Sequence, residues 1–306
     1  MKEQYHSWNL MGFLGTFTGN DVCEEYLVQV RWPDGMRCLH CNGGNFYPRL
    51  SHRRAYQCHD CRHFTYPTAG TIFHKTRTSL HQWFVALFLI ANDKRGLSAL
   101  ALSKQLGVSY QTAWAMLQRV RHAMAKRNDQ YQLMDYIEMD EMFIGSPTEG
   151  KKRGRGTEQT PVLVAVSYIP KDDKEYMGFA KLQVVERIDS DVIIAFAKRH
   201  FKRGSVVRSD GLRVYPPLER HGFAHDRNPV KSRKAHLVLP HVHTYISNLR
   251  SFVMGTHHGL SEIHLQQYLD EFCYRFNRRR HEHQMFDRLL LACIEKEETP
   301  FSALVG

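Results

Sequence analysis

The sequence predicts a mixed α/β protein in which a small cysteine-rich unit and an all-helical unit precede a sheet-containing domain. Three observations carry this. Residues 38–66 are rich in Cys, His, Arg and Tyr without helical periodicity, whereas Leu80 to Lys126 repeats its apolar residues at helical spacing. From Tyr136 the pattern changes to three short β-rich runs, Tyr136–Ile144, Pro161–Ile169 and Tyr176–Val185, and then to helix and strand in alternation. The order β-β-β-α-β-α, with further helix, is an α/β layout.

Residues 1–37 form a helical lead-in, where Asp21 is placed to cap a helix carrying Val22, Tyr26, Leu27 and Val30 up to Arg31. The turn Trp32-Pro33-Asp34-Gly35 ends it. The cysteine-rich unit follows at 38–66. The helical unit, 78–128, divides into three helices at Lys94-Arg95-Gly96 and at Gly107. Its stretch Ser98 to Trp114 reads as a helix-turn-helix: Ala101 allows close crossing, Gly107 makes the turn, Ser109 caps the second helix, and Leu106, Val108, Ala113 and Leu117 supply the core. The domain 134–285 opens with the three strands as an antiparallel meander, separated by a basic loop (Lys151 to Gly156) and a charged turn. A helix Ser190–Phe201, a strand Ser205–Ser209 and helices Val242–Met254 and Ser261–Asn277 follow, and residues 286–306 read as a C-terminal tail.

Of the 306 residues, 42% are hydrophobic and 24% charged, an ordinary globular composition that argues against disorder or a fibrous repeat. The longest apolar stretch, Trp83 to Ala91, is about half of the roughly 20 residues a membrane-spanning helix needs, and no signal-peptide pattern opens the chain. Lys and Arg number 42 against 31 Asp and Glu, and this surplus of +11 points to a polyanionic partner. Seven cysteines, an odd number, do not make a disulfide framework, so the expected location is the cytoplasm.

Cys38-x2-Cys41 and Cys58-x2-Cys61, with sixteen residues between the pairs, match a four-thiolate Zn²⁺ site. Four soft ligands in a tetrahedron leave no open position, so this zinc is structural. Arg49, Arg53, Arg54 and Arg62, interleaved with Phe46, Tyr47, Tyr56 and Tyr66, form either a DNA-facing surface or a solvated face. The second helix of the helix-turn-helix offers Tyr110, Gln111 and Arg119 to a groove or to phosphates, and the loop residues Lys151, Lys152, Arg153 and Arg155 are further candidates for DNA contact.

Asp140 lies in Ile137-Glu138-Met139-Asp140-Glu141-Met142-Phe143-Ile144, where alternation puts Glu138, Asp140 and Met142 on one face. Asp210 ends a second short strand before Gly211, which lets the chain turn. Two carboxylates on adjacent strands are what a two-metal phosphoryl-transfer site needs; a strand-end Asp and a salt-bridged Asp are the plainer reading. Between Lys198 and His236 eleven Lys and Arg stand against three Asp and Glu, which would draw phosphates to these acids.

The ordered series Arg31-Trp32-Pro33-Asp34-Gly35, both CxxC pairs, Asp140-Glu141, Ser209-Asp210-Gly211, Gly255-Thr256-His257-His258-Gly259, His264-Leu265-Gln266 and Phe276-Asn277-Arg278-Arg279 resembles bacterial insertion-sequence transposases of the ISXO-like family. The resemblance implies a zinc ribbon and a helical DNA-binding region joined to a ribonuclease-H-like DDE-type catalytic domain. It implies Asp140 as the first acid and Asp210 as the second. Where many relatives carry Glu this chain has His243, and Arg250 stands at the basic position seven residues on. The resemblance further implies Mg²⁺ or Mn²⁺ as catalytic ion, and imidazole, a weaker ligand for hard Mg²⁺, suits Mn²⁺ better. The implied partners are double-stranded DNA, as terminal inverted repeats and target DNA, and a second copy in a homodimer or higher homo-oligomer at the bacterial nucleoid.

Two other readings stay open. His241-Val242-His243 with Tyr245 and Tyr268 is the pattern of nucleases with a tyrosine nucleophile, though it leaves Asp140 and Asp210 unexplained. Alternatively, the chain is a DNA-binding regulator whose catalytic domain has degenerated.

Overall fold

The computed structural model describes residues 6–50, 54–145, 159–228, 235–257 and 260–295. In chain order it holds helices α1 (Leu10–Thr16) and α2 (Asn20–Arg31), strands β1 (Tyr56–Gln57) and β2 (Phe64–Thr65), and helices α3 (Leu80–Asn92), α4 (Ala99–Leu106) and α5 (Tyr110–Asp129). Strands β3 (Tyr136–Ile144), β4 (Thr160–Lys171) and β5 (Lys174–Val184), helix α6 (Ser190–His200), and strands β6 (Val206–Ser209) and β7 (Ala224–Arg227) follow. Helices α7 (Ala235–Val238), α8 (Pro240–Thr256), α9 (Glu262–Asn277) and α10 (Met285–Ile294) complete it. The chain divides into two compact units, residues 1–124 with 281–306, and residues 125–280.

The first unit is organised around α3. Seven of its side chains are buried, from Leu80 to Ile90, and they are covered by α2, α4 and α10. Ser79 starts α3 with a reciprocal cap: its Oγ accepts the Gln82 N–H at 3.1 Å, and Gln82 Oε1 accepts the Ser79 N–H at 3.3 Å. Phe13 of α1 stacks on Phe88 of α3 at 4.3 Å and meets Phe286 of α10 edge-on at 5.1 Å. The first part of the expected tail, to Ile294, is thus a core helix, with Phe286, Leu289, Leu290 and Cys293 buried along one stripe, and residues 296–306 lie outside the described residues. α2 also differs from expectation. It begins at Asn20 with Gly19 as its cap residue, and Asp21, inside the first turn, pairs instead with Arg49 at 3.0 Å.

The helix-turn-helix forms where the small residues require it. Ser98 Oγ accepts the Ala101 N–H at 3.1 Å and so starts α4. Gly107 ends it in the left-handed region, φ 64° and ψ 34°, which glycine reaches without a Cβ penalty. Ser109 Oγ then accepts the Thr112 N–H at 3.2 Å, opening α5.

The second unit is a five-stranded mixed sheet in the order β5-β4-β3-β6-β7. β3, β4 and β5 form the antiparallel meander, while β6 and β7 run parallel to β3. Asp172 and Asp173, both left-handed with φ of 53° and 57°, make the two-residue turn between β4 and β5. Alternation divides the sheet between two cores. Met142, Val164, Val166 and Leu182 pack under α8 and α9, and Ile137, Met139, Ala165 and Val207 pack under α6 and the short 3₁₀ helix Pro216–His221. This is the ribonuclease-H-like layout expected, with helices on both faces and β3 in the middle.

Candidate active site

Glu138 on β3 stands directly opposite Arg208 on parallel β6. Two residues further along each strand come Asp140 and Asp210, the latter one residue past the end of β6. Asp140, midway along β3, is therefore level with the carboxyl end of the neighbouring parallel strand β6, just past which Asp210 stands. Asp140 Oδ1 accepts the Glu141 N–H at 2.9 Å. Asp210 Oδ1 accepts the Leu212 N–H at 3.0 Å, so the carboxylate itself makes the turn, without left-handed backbone at Gly211.

α8 crosses the same sheet face and brings His243 to Asp140, with Nε2 3.6 Å from Oδ2. Both side chains keep some solvent access, 31% for His243 and 14% for Asp140. Two donors about 2.1 Å from one cation stand at most about 4.2 Å apart, so this spacing fits a shared divalent ion. Arg250, two helical turns on, is exposed. The His-hydrophobe-His pair does not converge: His241 Nε2 lies 3.0 Å from Glu175 while His243 faces Asp140. Tyr245 is fully buried against Phe272 and Phe276, beyond the reach of any phosphodiester, which removes it as a nucleophile.

Beneath these groups lies a network that reading along the chain did not assemble. Glu138 is 0% exposed, and its Oε2 accepts the Val242 N–H at 2.8 Å. Burial pushes its carboxyl up to about 7, against the opposing pull of the Val242 and His241 N–H groups and of Arg208. Arg208 reaches Glu175 at 3.4 Å and Asp226 at 3.1 Å and lies over the Tyr168 ring. Alternation had placed Glu138 beside Asp140, but Glu175 and His241 join it only through strand and helix packing.

In the ribbon the four cysteine sulfurs lie within 4.8 Å of one another, with Cys38 to Cys61 and Cys41 to Cys58 both at 3.6 Å. A tetrahedron of thiolates about 2.3 Å from zinc has edges of about 3.8 Å, so the cluster fits that ion. Both knuckles are built alike. The residue after the second cysteine, Asn42 or Arg62, is left-handed with φ of 60°, and its N–H bonds the carbonyl of the first cysteine at 3.0 or 3.1 Å. Arg49, a candidate for DNA contact, is occupied by Glu24 at 2.6 Å and by Asp21. Arg62 lies over the Tyr47 ring at 5.0 Å.

On α5, Tyr110 is 52% exposed and Gln111 is exposed beside it. Arg119 is turned inward, donating to the Ile72 carbonyl at 2.7 Å. Lys151, Lys152, Arg153 and Arg155 lie outside the described residues, as do Arg53, His258 and Gly259. Among the described residues no helix is long and apolar enough to cross a membrane.

Residues 132–277 match the ISXO2-like transposase domain, and residues 20–64 match the transposase zinc-ribbon domain of the same IS1595 group, together more than half of the chain. The chain carries an ISXO2-like transposase domain and a transposase zinc-ribbon domain. A curated relative, the "uncharacterized protein in transposable element ISH50" of Halobacterium salinarum, is 25% identical to this transposase-family chain over 84% of it and 90% of the relative. Among solved structures, a Mos1 transposase paired-end complex with left transposon end covers 71% of the chain and 80% of its own at 13% identity and a TM-score of 0.29. The Mos1 mariner paired-end complex with Mn gives 12% and 0.26. At those scores the likeness carries no argument.

Proposed function

We propose that this transposase-family chain cleaves the phosphodiester at each end of its insertion sequence and joins the freed 3′-OH to target DNA, with Asp140, Asp210 and His243 holding the catalytic Mg²⁺ or Mn²⁺. The observation that carries this is the approach of His243 to Asp140 at 3.6 Å, with Asp210 just past the end of the neighbouring parallel strand, inside the residues that match the ISXO2-like transposase domain. Bound divalent ions would supply a lowered pKa for the attacking oxygen and charge for the leaving one. The chain's own residues do the rest. Asp140 on a central strand and Asp210 in its own side-chain turn are held rigidly, as an in-line displacement at phosphorus requires. Hydrolysis and joining are the same displacement with a different nucleophile, so one site serves both.

The zinc ribbon, with Zn²⁺ on Cys38, Cys41, Cys58 and Cys61, and the helix-turn-helix through Tyr110 and Gln111 bind the terminal inverted repeats in this reading. Arg250 and the basic loop with Lys151, Lys152, Arg153 and Arg155 add phosphate contacts, and Arg119 supports α5 from within. Two ends must be cut together, so the working species is at least a homodimer.

The deciding experiment is cleavage and joining of the element's own end DNA. Wild-type protein is expected to cut with Mn²⁺ or Mg²⁺. Asp140→Asn and Asp210→Asn are expected to lose cutting and joining while end affinity stays or rises, because repulsion between carboxylate and phosphate is relieved. A cleaving Asn variant would remove the acids from the chemistry. Wild-type protein that binds ends but never cuts would favour the regulator with a degenerate site.

A further inference from the structure

We infer that Glu138 is a positioning residue: it caps α8 from the sheet and thereby sets the distances among the groups that hold the catalytic metal. This rests on the assignment of Asp140, Asp210 and His243 above.

α8 has no cap of its own. Its cap residue, Leu239, has no side-chain acceptor, and Pro240 at the first helical position has no N–H. The first donors needing a partner are the N–H groups of His241 and Val242. Val242 gives its N–H to Glu138 Oε2 at 2.8 Å, a carboxylate 104 residues earlier in the chain, and the His241 N–H faces the same group. A buried carboxyl oxygen at this position meets the orphan donors at the positive end of the helix dipole.

Each contact of Glu138 leads to one of the three metal-binding elements. Along β3 it lies two residues before Asp140, on the same face. Through Val242 it fixes the residue preceding His243. Its Oε1 lies 3.9 Å from Arg208 Nη1, two residues before Asp210. Arg208 is itself held by Glu175 at 3.4 Å and Asp226 at 3.1 Å, over the Tyr168 ring at 5.0 Å. His241 closes the circuit, 3.0 Å from Glu175 and stacked on the same ring at 5.2 Å.

Glu138, Glu175 and His241 have ligand atoms within 4.8 Å of one another and resemble a metal site in their own right. The Arg208 guanidinium argues against that use. It already lies against both carboxylates and would be repelled by a dication, so it serves as the cation of this cluster. What remains is a brace: the carboxylate accepts the unpaired N–H groups of the helix start and faces Arg208, so removing it alone leaves those groups without that partner.

The test uses the full chain as wild type, Glu138→Gln, Glu138→Met and Asp140→Asn, with two readouts. Hydrogen exchange at the start of α8 reports the cap. Mn²⁺ titration followed by electron paramagnetic resonance reports the metal site without any need for turnover. Glu138→Gln keeps an amide oxygen for the two N–H groups and is expected to stay near wild type in both. Glu138→Met is expected to exchange faster at His241 and Val242 and to bind Mn²⁺ about tenfold or more weakly, the loss seen when a support of a metal ligand is removed. Unchanged exchange at α8 in Glu138→Met, unchanged Mn²⁺ affinity in it, or a Gln variant as impaired as the Met variant would each overturn the brace. If wild type has no Mn²⁺ site that Asp140→Asn abolishes, the metal assignment itself falls and takes the brace's function with it, whereas the exchange result alone still reports whether Glu138 caps α8.

Discussion

His243 stands where a third carboxylate is expected, and this changes the cation the site should prefer. A neutral imidazole contributes no charge and is a softer donor than oxygen, so two acids and a histidine favour Mn²⁺ over Mg²⁺. His243→Glu is expected to retain cleavage and move the preference toward Mg²⁺, and His243→Ala to lose most activity; wild-type-like cutting by the Ala variant would place the third ligand elsewhere. Asp140 and Asp210 stand out as candidates along the chain because an acid in or beside an apolar strand run has few structural uses. Glu138 lies in the same run and was not read, because its partner is the start of a helix about a hundred residues later and nothing local announces that. A separate residue effect concerns stability. His200 on α6 is buried, and burial first, then Lys181 and Arg199, lowers it from 6.5 to about 4, with Asp129 opposing. The unfolded chain therefore takes up a proton that the folded chain refuses. Stability on this account is full above pH 6.5 and falls as pH drops toward about 4, by on the order of 3 kcal/mol at the limit. In urea unfolding between pH 7.5 and 5, His200→Gln should flatten the decline; a stability difference from wild type that does not change with pH would refute it.

Elements were legible wherever their signal was local. The helix-turn-helix could be read from Ser98, Gly107 and Ser109, and the meander from three β-rich runs, because caps, turns and alternation are properties of neighbouring residues. β7 was missed: Ala224–Arg227 is a short, largely polar edge strand with no apolar alternation, and it exists because β6 offers it a parallel partner. α10 carried a helical stripe in its sequence, but its burial depends on aromatic residues from α1 and α3. The cap of α2 was misplaced by two residues, since Asp21 answers to Arg49 across the unit. Gly107 provides a test of the local rules. Nothing lies within 4 Å of the Cβ that a substitution would add there, so any loss comes from the left-handed backbone alone. Gly107→Ala should lower stability by about 1 kcal/mol and Gly107→Asn by less, measured by thermal unfolding. An Ala variant more stable than wild type would mean that the turn is not held at this φ in solution.

Over the whole molecule, the ribbon and the sheet unit differ in what holds each together, and zinc removal tells them apart. The sheet unit has a core on each face, built from β3, β4 and β5 with α6, α8 and α9, and needs no ion to exist. Among its described residues the ribbon has only β1 and β2, two residues each, and isolated bridges at Phe46–Cys58 and Leu50–Ala55. So little pairing does not sustain a fold by itself, and the four thiolates supply the missing contacts through the metal. Protein purified in reducing buffer is expected to hold about one Zn²⁺ per chain. Chelation, or Cys58→Ser, should then abolish hydrogen-exchange protection across residues 38–66 and weaken binding to end DNA, while the amides of β3 and β4 stay protected. The Asp140-dependent Mn²⁺ site should survive as well, because its elements draw their packing from the second unit. Absence of zinc from the purified chain would remove the metal from the ribbon. Loss of protection in β4 on chelation would show that the sheet depends on it, against the two independent cores from which this prediction is made.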